Sequence, residues 1–462
     1  MHKRKQKKAK TSHVKVVIKM KEGLPTEHPY AAGIDIGDTE IAVAVRSTAG
    51  GYEVSTFSTF SRDLDSIVKY LKQNSITTAA MESTGVYYIP LYLKLEESGI
   101  EPYLVNARHA KNVTGRKQDD TDAIWLQKLH TCGLLQKSFQ PEAEGRVFRD
   151  YVRHRKNLVT IGSDSVRRMQ KALELMNIKL HTVISDILGK TGMDMIKAIL
   201  SGERDAKKLA AFKDGRIQAS EETIIKSLEG IWREEHLFAL KQAYETYAFH
   251  QNQIAECDEH IKMQLDKQTA IVQEGEICSD QEDMGKKGNN KKKARKNQYK
   301  FNVRASLFKL LGVDLCAIPG ISEITVVELI AEIGTDISKW KKIKQFSGWL
   351  NVCPNTKISG GKILSSKTMK KKNHAGQCLR MAAMAVANSK TPLGEYYRRM
   401  RGKLGGKGAV VATANKIARI IYTMLKEKKQ YDESLYKKTQ KDFRAKQIKF
   451  YEKKIADLKK VA

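Results

Sequence analysis

Three short apolar runs open the folded part of the chain: Ala31-Ala-Gly-Ile-Asp-Ile-Gly37, Ile41-Ala-Val-Ala-Val45 and Tyr52-Glu-Val-Ser-Thr-Phe57. They read as strands, the last two joined as a hairpin across Ala49-Gly50-Gly51. The period then lengthens to that of a helix at Leu64, Ile67, Val68 and Leu71. A strand over Ile76–Met81 closing on Glu82, a helix from Tyr87 to Glu97 and a strand at Pro102–Val105 follow. Next comes a helix whose acidic first turn carries Asp119 and Asp122. The order βββαβαβα predicts a mixed sheet covered by helices.

From Glu142 to Gln268 the pattern is helical. Leu158, Ile161, Val166, Met169, Leu173 and Met176 share one face. Leu237, Leu240, Tyr244, Tyr247, Ile254, Ile261 and Leu265 keep a three-four spacing that Gln251 and Asp258 interrupt. Such a repeat pairs with another helix, either as a hairpin within the chain or as a dimerising coiled coil. Residues 274–300 are too polar to bury a core and read as a disordered or nucleic-acid-contacting insertion. A second globular unit starts near Leu307. Within it, Leu315-Cys-Ala-Ile-Pro-Gly-Ile-Ser-Glu-Ile-Thr325 resembles a helix-hairpin-helix, whose Pro-Gly turn lets backbone N–H groups approach a phosphate. Phe346–Leu350 leads into a polar loop, Pro354-Asn-Thr-Lys-Ile-Ser-Gly-Gly-Lys362, and then the lysines of 367–372 and Arg380. Ala409–Leu425 is an amphipathic helix, followed by a charged, mostly helical tail.

Composition changes this picture in one respect. Of 462 residues, 83 are Lys or Arg and 52 Asp or Glu, a formal charge of +31. That excess favours a polyanionic partner, most simply nucleic acid. An anionic membrane surface competes, but no apolar run is long enough to cross a bilayer and the lysine-rich start lacks the apolar segment of a signal peptide. Cys132, Cys257, Cys278, Cys316, Cys353 and Cys378 are scattered without a Cys-x-x-Cys pair, which argues for reduced thiols in a cytosol and against a zinc ribbon.

In so basic a chain, gathered carboxylates carry chemical information. Asp119 and Asp122 lie one helical turn apart, where like charges repel. An acidic first turn also suits the helix dipole, so the pair alone is ambiguous. The topology adds Asp35, near the end of the first strand, and Glu82, at the carboxyl end of a later one, the edge at which open sheets bind ligands. Four converging carboxylates need cations, and a pair of Mg²⁺ ions would meet that need while activating an oxygen nucleophile on phosphorus. Asp35-Ile-Gly-Asp-Thr39 also resembles the phosphate loop of sugar kinases and actin-like ATPases, although no second glycine-rich nucleotide loop follows.

With these residues placed, the chain resembles the DEDD transposases of the insertion-sequence family one hundred and ten, relatives of the Piv-type DNA invertases. The resemblance rests on Gly33-Ile-Asp35, Met81-Glu-Ser-Thr-Gly85, Lys117-Gln-Asp-Asp-Thr-Asp-Ala123, Ile318-Pro-Gly-Ile-Ser322, Phe346–Pro354 and Ser359-Gly-Gly-Lys362. It covers roughly residues 30–135 and 307–428. It implies an α/β RNase H-like (RuvC-like) N-terminal domain, a central helical coiled coil and a mostly α C-terminal domain with a helix-hairpin-helix. The segments would be a basic arm (1–27), the RuvC-like DEDD domain (28–140), the coiled-coil region (141–273), a basic insertion (274–304), the transposase domain with its serine loop (305–430) and a basic tail (431–462).

The implied activity is recombination of double-stranded donor and target DNA in a prokaryotic cytoplasm, at the nucleoid, by a homo-oligomer (dimer or tetramer) using a structured noncoding bridge RNA. Asp35, Glu82, Asp119 and Asp122 would hold Mg²⁺, with Mn²⁺ as the alternative, and Ser359 would be the nucleophile. Ser365 and Ser366 are competing candidates, since Ile358 stands where relatives often carry another serine. A serine needs activation by a base or a metal to attack phosphorus, and the ester so formed conserves the phosphodiester energy. Two other readings use the same residues: a RuvC-like structure-specific nuclease that hydrolyses DNA without a serine intermediate, and a nonenzymatic helix-hairpin-helix nucleic-acid-binding protein.

Overall fold

The computed structural model describes residues 25–48, 50–83, 85–107, 121–273 and 297–434, with 445, 448–452, 455 and 456 in the tail. Most of the basic arm, Asp119, residues 274–296 of the insertion and most of the tail lie outside the described residues. The chain divides into two compact units, 1–140 and 141–462.

In the first unit, strands β1 (Ala31–Ile36), β2 (Glu40–Arg46) and β3 (Tyr52–Ser58) form an antiparallel meander. Helix α1 (Ser61–Gln73), β4 (Thr78–Glu82), α2 (Tyr88–Glu97), β5 (Glu101–Val105) and α3 (Asp122–Thr131) follow. The sheet order is β3-β2-β1-β4-β5, with β4 and β5 parallel to β1. Three antiparallel strands extended by two parallel ones, with helices on both faces, are the RNase H-like topology. The alternation of side chains explains the layering. Ala32, Ile34, Ile36, Val43, Ala79 and Met81 point to one face, where Leu64, Ile67, Leu71, Leu91 and Leu95 of α1 and α2 close a core. The opposite face is lined by small residues. Ala44 and Ala80 there admit Ala123, Ile124, Trp125 and Leu126 of α3. Glu27 and His28, at the end of the basic arm, donate backbone N–H bonds to the Thr131 carbonyl and so tie that end to α3.

The second unit is helical apart from one hairpin. It comprises α4 (Ala143–Leu175), α5 (Leu180–Val183), α6 (Lys190–Leu200), α7 (Ala206–Ala210), α8 (Glu221–Leu228) and α9 (Glu234–Gln273). Then come α10 (Val303–Leu311), α11 (Glu323–Ile333), α12 (Ile343–Trp349), strands β6 (Lys357–Ser359) and β7 (Lys362–Ser365), α13 (His374–Ala385) and α14 (Pro392–Glu427). Helices α4 and α9 pack antiparallel on each other, so the three-four repeat is closed within the chain. Asp258, one of its interruptions, is buried and forms a bidentate ion pair with buried Arg155 of α4. The Arg155 guanidinium also lies 4.0 Å from the Tyr299 ring centre and donates 2.9 Å to the Asn297 carbonyl. Burial works against the Arg155 charge, and the Asp258 carboxylate more than restores it. Residues 297–299, expected in the polar insertion, thus pack on the rod. Gln251, the other interruption, lies opposite Gly162 of α4. Ile161, expected on the apolar face, is 44% exposed, because the buried line of α4 runs through Leu158, Gly162, Ser165 and Met169 and leaves it to one side.

No helix among the described residues is long and apolar enough to cross a membrane. The five described cysteines are free thiols.

Candidate active site

The carboxyl edge of the first unit's sheet places two of the expected acids side by side. Strands β1 and β4 are in parallel register through Ile34 and Met81, so Asp35 and Glu82 are the next residues on adjacent strands. Adjacent strands lie about 4.8 Å apart. Alternation puts both on the α3 face, with Gly33 and Ala80, and each is half-buried. Helix α3 runs back along β1. Its Ala123 carbonyl stands over Gly33, and Gln127 donates a 3.1 Å bond to the Ala31 carbonyl. The helix N-terminus therefore points toward the edge where Asp35 and Glu82 sit, and it carries Asp122 there. Gly33 is essential to this approach. A Cβ at that position would lie 2.1 Å from Ala123 O and 2.3 Å from Gln127 N, both main-chain atoms.

The described acidic helix opens on a side-chain cap. Thr121 is extended and caps α3, its hydroxyl accepting from Ile124 N at 3.3 Å. The described helix begins at Asp122, and Asp119, expected one turn before it, lies outside the described residues. Thr121 is a cap the sequence signals directly, by a Thr one residue before an acidic, then apolar, run. Asp35, Glu82 and Asp122 each make an interaction in the structure. Among the described residues no group of three His, Cys, Asp or Glu side chains is close enough to hold a metal ion. The donor set fits a hard cation all the same: it is all oxygen, on one face, at a helix N-terminus whose dipole favours negative charge.

At the far end of α3, His130 is buried and bonded through Nε2 to Thr78 Oγ1 at 3.0 Å. It stacks on His28 with ring centres 4.6 Å apart. Burial and the neighbouring His28 push its pKa down to about 4. His130 is thus held neutral, as part of the packing that seats α3.

In the second unit, Ser359 occupies the tip of a two-stranded hairpin, where an irregular loop is expected from sequence. Ser359 pairs with Lys362, and Gly360 and Gly361 have φ of 54° and 74°. Two consecutive positive φ values are what a tight two-residue turn requires, and glycine adopts them without strain. Ser359 is exposed, as are Lys357 and Lys362, with Ile358 and Ile363 paired across the strands. Of the competing serines, Ser365 accepts a 3.4 Å bond from Lys367 N and is half-buried, and Ser366 is exposed. The base of the hairpin is closed by Asn355 N bonding to the Lys367 carbonyl at 3.0 Å. Asn351 Nδ2 reaches the Met369 carbonyl at 2.8 Å.

The Pro-Gly turn lies between α10 and α11, with Ser322 capping α11 by accepting from Thr325 N. Gly320 has φ 85°, and a Cβ there would lie 2.5 Å from Val386 Cγ1 and 2.7 Å from the Ala382 carbonyl. That side of the turn is therefore seated on α13, so the glycine answers to packing. The turn's body is tied to α4 by Arg153 to Glu332, at 2.7 and 2.8 Å, and by Lys156 to Glu328 at 2.6 Å.

The strand order defines an RNase H-like domain, and a mostly helical C-terminal region follows it in the chain. Residues 32–178 match the DEDD transposase model of the IS110 group, described as Transposase, and residues 314–398 match the model described as Transposase IS116/IS110/IS902 family. The chain belongs to the IS110 family of transposases, DNA-cutting and rejoining enzymes. No curated protein matches the chain. Among solved structures it is similar to Thermus thermophilus RuvC, at 16% identity over 24% of this chain and 84% of that one, with a TM-score of 0.16. That superposition is too partial to carry geometry, and the fold rests on the strand order itself.

Proposed function

We propose that this transposase recombines double-stranded DNA through a covalent phosphoserine intermediate at Ser359, with Asp35, Glu82, Asp119 and Asp122 as its metal-holding acids. The observation that carries the reading is the β1–β4 register, which sets Asp35 and Glu82 abreast beneath the N-terminus of α3. Mg²⁺, or alternatively Mn²⁺, is the ion this oxygen set suits; when bound it supplies positive charge at the reacting phosphate. Ser359 Oγ forms a bond to phosphorus as the bond from phosphorus to a deoxyribose oxygen breaks. The serine proton passes to a base, and the departing oxygen takes up a proton. Reversal by a different strand end rejoins DNA without ATP, because the ester keeps the bond energy. The exposure of Ser359, beside two glycines and opposite Lys362, supports its choice over half-buried Ser365. A structured noncoding guide RNA and a homo-oligomer, dimer or tetramer, complete the proposal.

The test is trapping with denaturant on a DNA duplex. Ser359→Ala is expected to eliminate a denaturation-resistant protein–DNA adduct, and Asp35→Asn to abolish divalent-dependent cleavage while DNA binding persists. An adduct that survives Ser359→Ala moves the role to Ser365 or Ser366. Cleavage by the wild-type chain with no adduct at any time supports the hydrolytic nuclease instead. A discrete RNA that co-purifies from the host supports the guide; clean protein that recombines DNA without one refutes it.

A further inference from the structure

Helix α14 carries a charge pattern that neither the acidic edge nor the serine hairpin uses. From Tyr396 to Lys426 the sequence holds Arg398, Arg399, Arg401, Lys403, Lys407, Lys416, Arg419 and Lys426 and no carboxylate. The helix is broken at Gly405, where φ is 71° and ψ 176°, and every residue from Arg401 to Lys407 is exposed. Three glycines lie in this exposed bend, and a Cβ at Gly402, Gly405 or Gly406 would meet nothing within 4 Å. That separates them from Gly394 of the same helix, whose Cβ would lie 2.3 Å from the Ser389 carbonyl. Packing demands Gly394. It does not demand Gly402 or Gly406, which have ordinary negative-φ backbone. Glycine inside a helix is costly relative to alanine, and without a packing reason its use is close approach of something from outside to the main chain.

Cations are also held together just behind the bend. The Arg399 guanidinium and the Lys416 ammonium lie 5.3 and 4.5 Å from the same Tyr396 ring centre. Burial, and after it the neighbouring Arg399 charge, push the Lys416 pKa down. Arg398 is anchored to the Ala387 and Ser389 carbonyls at 3.0 and 2.7 Å, whereas Arg401, Lys403 and Lys407 are the exposed cations of the bend itself. The family match ends at residue 398, so the bend lies beyond it.

We propose that the Arg401–Lys407 bend of α14 is a phosphate-backbone-binding surface for nucleic acid, its glycines admitting the sugar-phosphate chain to the main-chain N–H groups and its three exposed cations each neutralising a phosphate. The proposal rests on the nucleic-acid reading of the chain but not on Ser359 or the acidic edge. The shared chemistry is the phosphodiester backbone, whose source is DNA or RNA.

The experiment is fluorescence anisotropy with the full-length chain, on a labelled 30-base-pair DNA duplex and on a labelled RNA hairpin, over a range of KCl concentrations. Each phosphate contact contributes about 0.9 to the slope of log K against log salt on duplex DNA, so Arg401→Gln/Lys403→Gln/Lys407→Gln is expected to lower it by about 2.7. With the 1 M intercept unchanged, that is a loss of about 500-fold at 0.1 M salt. A change on DNA alone, RNA alone or both supports the surface and names its source. An equal charge loss elsewhere, Lys207→Gln/Lys208→Gln/Lys226→Gln, is the control. An unchanged slope on both probes, or an equal drop in the control, overturns the proposal. Ser359→Ala is expected to keep the wild-type slope, so failure of the serine reading is seen separately.

Discussion

Replacing Gly33 by alanine is the smallest change that should take the acidic edge apart. The added Cβ would sit 2.1 Å from Ala123 O and 2.3 Å from Gln127 N. Both obstacles are main-chain atoms of α3, so no rotamer change relieves the clash. Restoring an ordinary 3.4 Å contact to Ala123 O requires a shift of about 1.3 Å, and the whole first turn must move with it. Overpacking of this kind costs about 1–3 kcal/mol. The shift also stretches the 3.1 Å bond from Gln127 to the Ala31 carbonyl. A lost buried hydrogen bond adds about 1 kcal/mol or more.

The expected sum, about 3 kcal/mol, corresponds to roughly 100-fold faster hydrogen exchange at α3 amides that exchange by local opening. Because Asp122 rides on that turn, a displacement near 1 Å should also lower divalent-dependent cleavage by about 100-fold. Gly348→Ala, at a helical position with open space around it, is the control and should leave both readouts within error. Wild-type exchange and wild-type cleavage in Gly33→Ala would refute the close approach of α3 to β1 and, with it, the placement of Asp122.

Other expectations follow from the packing. Asp258→Ala should destabilise the second unit by about 3–5 kcal/mol by stranding the buried Arg155 charge, whereas Arg155→Met/Asp258→Leu together should be near neutral in urea unfolding; equal losses from both would show that the charge itself is not the issue. His130 has a folded-state pKa near 4, below its unfolded value of 6.5, so the unfolded chain binds more protons between the two. The stability it contributes is full above pH 6.5 and is lost as pH falls toward 4, by at most about 3 kcal/mol. His130→Gln should flatten that part of the pH–stability curve, and an unaltered curve would place the acid sensitivity elsewhere. Asp35→Asn and Ser359→Ala separate metal-dependent cleavage from adduct formation, as described above.

The sheet was legible because its signals are local. Strand periods, the Gly50-Gly51 turn and the helical spacing of Leu64, Ile67, Val68 and Leu71 each need fewer than a dozen residues. The adjacency of Asp35 and Glu82 required only one further step, a parallel pairing of the first strand with the fourth. Expectations that depended on a distant partner fared differently. Asp258 is visible as a break in an apolar seam, but Arg155 is 103 residues away in the chain and nothing in the repeat announces it. The 357–365 hairpin reads as a loop because its strands are three and four residues long and almost wholly exposed, leaving no buried face to set a period. Gly33 is part of a recognisable motif, yet its role depends on what covers it from 90 residues downstream.

The antiparallel pairing of α4 with α9 has a mechanical corollary. At 1.5 Å per residue, the 21 positions from the Arg155 layer to Met176 span about 32 Å. Helices α5 to α8 cluster around Met169–Met176 and Leu240 at the outer end, while Glu328 and Glu332 of α11 are held to Lys156 and Arg153 at the inner one. The pair therefore behaves as a boom with a buried charged bolt towards one end and an apolar fist at the other. Excising seven residues from both members between bolt and tip would draw the fist in by about 10 Å and leave the bolt untouched.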